Sequence, residues 1–187
     1  LYALQRLRDQ MGMRVLACDD ADDLGGTWHW NRYPGCRVDT EAAIYCYSFD
    51  PELFREWRWS ERYPRQPEVL AYLHEVARRH DLRRSIHFST RIARAEWDED
   101  AARWRLTTTD GVCFTARYVL EGVGLLSSTN LPDFPGLESY RGELHHAARW
   151  PAGGVDLAGK RVGVLGTGST GIQVITAIAP EVQQLVV

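Results

Sequence analysis

KRVGVLGTGSTG, Lys160 to Gly171, decides how this chain is read. RVGVL is an apolar, strand-like run, and IQVITAIAPE after it carries a helical pattern. Between them stands Gly166-Thr167-Gly168-Ser169-Thr170-Gly171. Strand, glycine turn and helix in that order are the setting of a dinucleotide-binding turn. The first glycine makes the turn and the second lets backbone approach a pyrophosphate. The third lets helix and strand pack closely. The first N–H groups of the helix and its macrodipole then hold the anion. The residue that chooses between a ribose 2′-hydroxyl and a 2′-phosphate is expected roughly 20 residues on. That is at or beyond Val187, so these residues leave NAD and NADP both open. QQLVV begins a further strand.

The opening residues match the second half of another such unit. Leu1, Leu4 and Leu7 recur at helical spacing, and Gly12 acts as a stop. RVLACD, Arg14 to Asp19, reads as a buried strand ending in an acid. An acid at the end of the second strand of a βαβ unit accepts hydrogen bonds from ribose hydroxyls, which makes Asp19 a cofactor candidate. The first strand and glycine loop of that unit are expected upstream of Leu1, and the chain reads as a piece of something longer. Two dinucleotide sites in one polypeptide point to two dinucleotides, one of them a flavin.

GGTWHWNRYPGCRVDT, Gly25 to Thr40, suits a flat, polar-edged guest. Trp28 and Trp30 can cover an isoalloxazine, and Gly25-Gly26 lets backbone approach it. The arginines and Asp39 can address a nicotinamide or a reacting oxygen. TEAAIYCYSF then starts helical, and Asp50 to Pro67 reads as irregular. Pro67 near a first turn and the stripe Val69, Leu70, Leu73, Val76, Ala77 predict a helix to about Leu82. IHFST, RIARAEWDED, ARWRLTTTDG and VCFTARYVLEGVG alternate in period two. They predict a strand, a β-meander and a return strand, with Glu121 oddly placed inside the last. Leu131 to Pro151 is a Pro- and Gly-punctuated connection. The sum is an α/β, Rossmann-like fold with an inserted meander.

Composition excludes little and agrees with this. Of 187 residues, 44% are hydrophobic and 25% charged, which allows a normal core. The net charge of −3 and the lack of a continuing basic stripe argue against nucleic acid, despite the aromatics of WRWSERYPRQP. No apolar run is long enough for a membrane span, and no signal peptide is visible. Cys18, Cys36, Cys46 and Cys113 fit no zinc spacing and read as reduced thiols of a cytoplasmic protein; no metal is expected.

GGTWHWNRYPG with CRVDTEAAIYCYSF resembles the flavin-side segment of the type I Baeyer–Villiger monooxygenases. Tyr140-Arg-Gly142-Glu-Leu-His145-His146-Ala-Ala-Arg-Trp150-Pro151 resembles their signature: an aromatic, one residue, Gly, three residues, His, three residues, Trp, Pro. It stands just ahead of the second glycine turn, and the resemblance covers essentially the whole chain. It implies an enzyme that uses FAD, NADPH and O2. A C4a-peroxyflavin would insert one oxygen beside a ketone carbonyl to give an ester or lactone. It also implies roles. Asp19 stands where the family binds ribose, and Thr27, Trp28, His29 and Trp30 contact FAD, beside the cofactor candidates Gly25 and Gly26. Asp39 is the acid beside the flavin, partner of an arginine beyond Val187. Arg37 and Val38 meet the nicotinamide cofactor. Tyr45 contacts flavin and Ile92 the adenine end. Gly166, Thr167, Gly168, Ser169, Thr170, Gly171 and Ile172 hold the NADPH pyrophosphate. Tyr140, Gly142, His146, Trp150 and Pro151 form a conformational signature. The implied domains are an FAD-binding domain over 1–139 without its first strand and glycine loop, a linker over 140–158, and the start of an NADP-binding domain over 159–187.

Several positions depart from the family pattern. Tyr140 stands for Phe, Asp19 for Glu, and His29 for a frequent Tyr. Glu121-Gly122-Val123-Gly124 stands where an apolar residue and Ala-Thr-Gly are usual. Two other readings remain. One is a flavin-containing monooxygenase that oxygenates N or S, against which Trp150-Pro151 argues. The other is a non-catalytic nucleotide-binding module.

Overall fold

The computed structural model describes residues 1–187. In chain order its helices are α1 (Tyr2–Gln5), α2 (Thr27–Trp30), α3 (Pro51–Glu56), α4 (Gln66–Arg79) and α5 (Ser169–Ile178). Its strands are β1 (Ala17–Cys18), β2 (Ile86–His87), β3 (Ile92–Asp98), β4 (Arg103–Thr108), β5 (Cys113–Ala116), β6 (Arg161–Gly163) and β7 (Gln184–Val186). A π-helical turn, Arg6–Gln10, prolongs α1. Packing divides the chain into two compact units, Leu1–Gly26 with Leu73–Gly124, and Thr27–Tyr72 with Leu125–Val187.

In the first unit β1 and β2 run parallel, Ala17 opposite Ile86 and Cys18 opposite His87. The strand expected over Arg14 to Asp19 is thus only two residues long. Leu16 is exposed, and β1 finds a ladder partner on one side only. Arg8 satisfies carbonyls just past the end of α4, donating to His80 O (2.6 Å) and Asp81 O (2.8 Å). These are groups a helix end leaves without an internal partner. Leu4, Ala21, Leu24, Val76, Ala77 and Leu82 are buried here. The helix expected to reach about Leu82 stops at Arg79, and Leu82 is buried beyond its end.

The meander β3-β4-β5 is antiparallel, with Trp97 opposite Trp104 and their rings 5.6 Å apart. Both turns fall where the aspartates announce them. Asp98 Oδ1 accepts from Ala101 N at 2.9 Å, and Gly111 takes φ +86°. The return strand expected to run on to Gly124 forms only in its first part, as β5, and ends at Ala116. Tyr118, Leu120 and Val123 are exposed, and no neighbouring strand receives their hydrogen bonds. Glu121 therefore lies exposed outside any strand, and its charge carries no burial cost.

On α4, Glu75 accepts from Arg78 (2.7 and 2.8 Å) and Arg79 (2.9 Å). These bonds draw its carboxyl down from 4.5 to about 2. The stabilisation is complete above about pH 4.5 and is lost as pH falls through about 2. Solvent screens the pair, so Glu75→Gln is expected to cost only about 0.5 kcal/mol near neutrality. Acid titration of the unfolding midpoint checks this. The variant's midpoint should fall less steeply below pH 4.5 than the parent's.

In the second unit β6 and β7 are parallel and joined through α5, as the glycine turn predicts. Val174 and Ile178 on α5 pack with Tyr33 and Cys36 in one core cluster, against which Trp28 and Trp150 lie. The segment 50–67, expected to be irregular, contains α3. Asp50 Oδ1 caps it by accepting from Leu53 N at 2.8 Å, with Pro51 in the first turn. TEAAIYCYSF yields a single 3₁₀ turn, Ala42–Tyr45. Tyr72 is fully buried with Leu53 and Val69, and Trp57 and Trp59 stand 5.4 and 5.2 Å from its ring.

Candidate functional site

The glycine turn has the shape its sequence promises. Gly166 takes φ +105°, and a Cβ on Gly171 would fall 2.1 Å from the Gly166 carbonyl oxygen. The loop and the first turn of α5 therefore touch backbone to backbone. Space is open around Gly166 and Gly168. The N-terminus of α5 has no side-chain cap and no acid in its first turn. Its first N–H groups and positive dipole end stay available to an anion. A pyrophosphate fits this cradle.

The segment after α2 is built around the same helix. The Tyr33 hydroxyl donates to Gln173 Oε1 at 2.9 Å. Burial pushes that hydroxyl up to about 12, against an opposing hydrogen bond with Thr170 of the glycine turn. Cys36, Arg37 and Val38 are tied on their other side to Pro64–Gln66. Val38 N donates to Pro64 O (3.1 Å) and Gln66 N to Cys36 O (2.9 Å). Val38 is buried, whereas Asp39 is exposed. Asp39 sits near enough that its charge helps raise both Tyr33 and Tyr45.

The aromatics of this segment take three different positions. Trp28 turns an edge to Tyr45, with ring centroids 5.6 Å apart, and leans on the core cluster. Its carbonyl accepts from Gln66 Nε2. His29 is buried, and Trp30 remains 45% exposed with its ring perpendicular to His29. Of the signature residues, Trp150 packs on the core and Tyr140 is exposed. His146 Nδ1 accepts from Ala148 N at 3.2 Å and so caps the short helical turn Ala147–Arg149. The neighbouring His145 pairs with Glu143, which also accepts from Lys160 at 2.9 Å. Lys160 and His145 hold that carboxyl below its usual range.

In the first unit Asp19 follows β1 directly, as expected. Its Oδ1 accepts from Ala21 N at 3.0 Å, which orders the loop that follows. Backbone bonds Ser89 N→Ala21 O (2.7 Å) and Thr90 N→Asp19 O (2.8 Å) zip this loop to the one leading into Ile92. Asp19, just past β1, and Ile92, the first residue of β3, thus stand at adjoining loops. Gly25 and Gly26 both take positive φ, and nothing crowds Gly26.

Sequence reading missed two glutamines, Gln66 and Gln173. Gln173 stands just past the glycine motif, and a polar side chain on the inward face of an apolar helix was the signal.

A parallel β-α-β unit with an uncapped glycine turn defines a dinucleotide-binding α/β protein. The family model for flavin-binding monooxygenase-like proteins matches residues 10–187, and the chain belongs to that family. It is 51% identical to a Baeyer-Villiger monooxygenase of Pseudooceanicola batsensis, an alignment covering 100% of this chain and 34% of that protein. It is 47% identical to the phenazine N-monooxygenase PhzNO1 of Lysobacter antibioticus, with 100% and 34% covered. The crystal structure of cyclohexanone monooxygenase from Rhodococcus sp. Phi1 bound to NADP+ superposes with a TM-score of 0.91 at 50% identity. That match covers 98% of this chain and 34% of the other. The chain thus spans about a third of the length of these relatives. No helix is long and apolar enough to cross a membrane, and all four cysteines are free thiols.

Proposed function

We propose that this chain forms part of an FAD- and NADPH-dependent Baeyer–Villiger monooxygenase acting on a small-molecule ketone with O2. The observation that carries the reading is the open glycine cradle at the N-terminus of α5 beside the Tyr33–Asp39 segment, in a chain of the flavin-binding monooxygenase-like family. Bound flavin supplies the transfer of electrons from NADPH to O2. The chain's own residues bind and orient. Gly166 to Ile172 hold the NADPH pyrophosphate on N–H groups. Asp19 receives the FAD ribose, and the backbone leading into Ile92 meets the adenine end. Thr27 to Trp30, Arg37, Val38 and Tyr45 line the flavin and nicotinamide. Asp39 presents its carboxylate beside the flavin and orients a cationic partner there. His146, Trp150 and their neighbours hold the connection between the two nucleotide regions, 1–139 and 159–187. Free thiols agree with a cytoplasmic setting.

The test is made on the full-length protein that carries this chain. It should purify with FAD, consume NADPH with O2, and turn a cyclic ketone into its lactone. Asp39 is exposed, so Asp39→Ala should leave folding unchanged within about 0.5 kcal/mol. The same substitution should lower product formation on the order of 10²-fold. Stoichiometric FAD absorbance without any ketone conversion would sink the reading. The likeness to a phenazine N-monooxygenase favours a second one, N-oxygenation, which an N-oxide product from an aromatic N-heterocycle would reveal.

A further inference from the structure

Gln173 lies on the second turn of α5, two residues beyond the glycine motif. Its amide makes three hydrogen bonds to one short segment. Oε1 accepts from the Tyr33 hydroxyl at 2.9 Å and from the Arg37 backbone N–H at 3.2 Å. Nε2 donates to the Arg37 carbonyl at 3.0 Å. A single side chain therefore holds both polar backbone groups of Arg37. Gly35, between the two contacts, comes so close that a Cβ there would sit 2.5 Å from the Gln173 carbonyl oxygen. Asp39 stands two residues past the clamped residue.

We propose that Gln173 is a positioning residue that couples occupation of the Gly166–Gly171 turn to the backbone of Tyr33–Asp39. The inference rests on the nucleotide reading of that turn. A pyrophosphate on the first N–H groups fixes the opening turns of α5. Gln173 then carries that order to the Arg37 peptide, and so to Asp39. Only an amide supplies the donor and the acceptor together at this length. Glutamate lacks the donor for the Arg37 carbonyl, and leucine lacks both.

Hydrogen exchange on the full-length protein, with and without NADP+, tests this. In the parent, NADP+ should slow exchange severalfold both in the first turn of α5 and in peptides covering Tyr33–Asp39. In Gln173→Leu the slowing at α5 should persist and that at Tyr33–Asp39 should shrink severalfold, to what direct contact of Arg37 and Val38 with the nicotinamide alone gives. The NADP+ dissociation constant should change by less than about threefold. Flavin reduction at saturating NADPH should fall about tenfold with KM little changed. A merely structural role would instead lower FAD occupancy and leave the rate per bound flavin intact. Gln173→Glu serves if the leucine variant does not fold, and should give the same split. Undiminished protection of both segments in the variant overturns the coupling, as does lack of protection at Tyr33–Asp39 in the parent. If NADP+ protects neither segment of the parent, the nucleotide reading of the turn falls, and the coupling with it.

Discussion

Gly171→Ala is expected to destabilise the protein and to weaken its hold on NADP+. The new Cβ would lie 2.1 Å from the Gly166 carbonyl oxygen and 2.9 Å from its carbon. Neither is the end of a flexible side chain, so the turn or the helix must move. Overpacking of this kind costs up to about 3 kcal/mol. For a chain of this size that lowers the thermal midpoint by roughly 6–12 °C. Displacing the turn also takes the first N–H groups of α5 off the phosphate, and affinity should fall at least about tenfold. Gly168→Ala is the matching control. Its Cβ meets nothing within 4 Å and its φ of −70° suits any residue. That variant should keep its thermal midpoint yet still lose affinity, because the methyl enters the space a pyrophosphate needs. Equal losses of stability in both variants would show that the turn is only structural.

Gly35→Ala should match or exceed this loss of stability by two routes at once. At φ +76° an L side chain is strained, at about 1–2 kcal/mol. The Cβ would also meet Gln173 O at 2.5 Å and Ala177 Cβ at 2.9 Å, adding about 1–3 kcal/mol. The helix cannot retreat easily, since Val174 and Ile178 on it are buried in the shared core. Gly154→Ala separates the two routes, since its φ is +75° with nothing within 4 Å. It should show the backbone cost alone. Urea titration of the three proteins measures the difference. A Gly35→Ala midpoint no lower than that of Gly154→Ala would refute the close approach.

The first of these substitutions acts where the sequence was most legible. GTGSTG between an apolar run and a helical pattern named the turn, the helix and the parallel pair β6–β7, because each step follows from local backbone chemistry. The meander was legible for the same reason, with period-two alternation bounded by Asp and Gly turns. The missed helix α3 was also a local matter. Asp50-Pro51 is a cap followed by a first-turn proline, hidden among other prolines and tryptophans. The last expected strand, VCFTARYVLEGVG, stopped at Ala116 for a different reason. Alternation states which residues would face one way, whereas a strand also needs a neighbour.

What the sequence determined by itself is the class of chemistry: a nucleotide turn, an acid after a strand, an aromatic segment rich in arginine, and membership of a flavin-binding family. Tertiary structure alone decided which of those aromatics packs against the core and which stays exposed, Trp28 against Trp30. It alone brought Gln173 to Arg37, residues 136 positions apart. Spacing along a chain fixes local backbone geometry and the face a side chain shares with its neighbours. Contacts between distant segments depend on how helix and loop pack, and there the position of one amide or one missing Cβ is set.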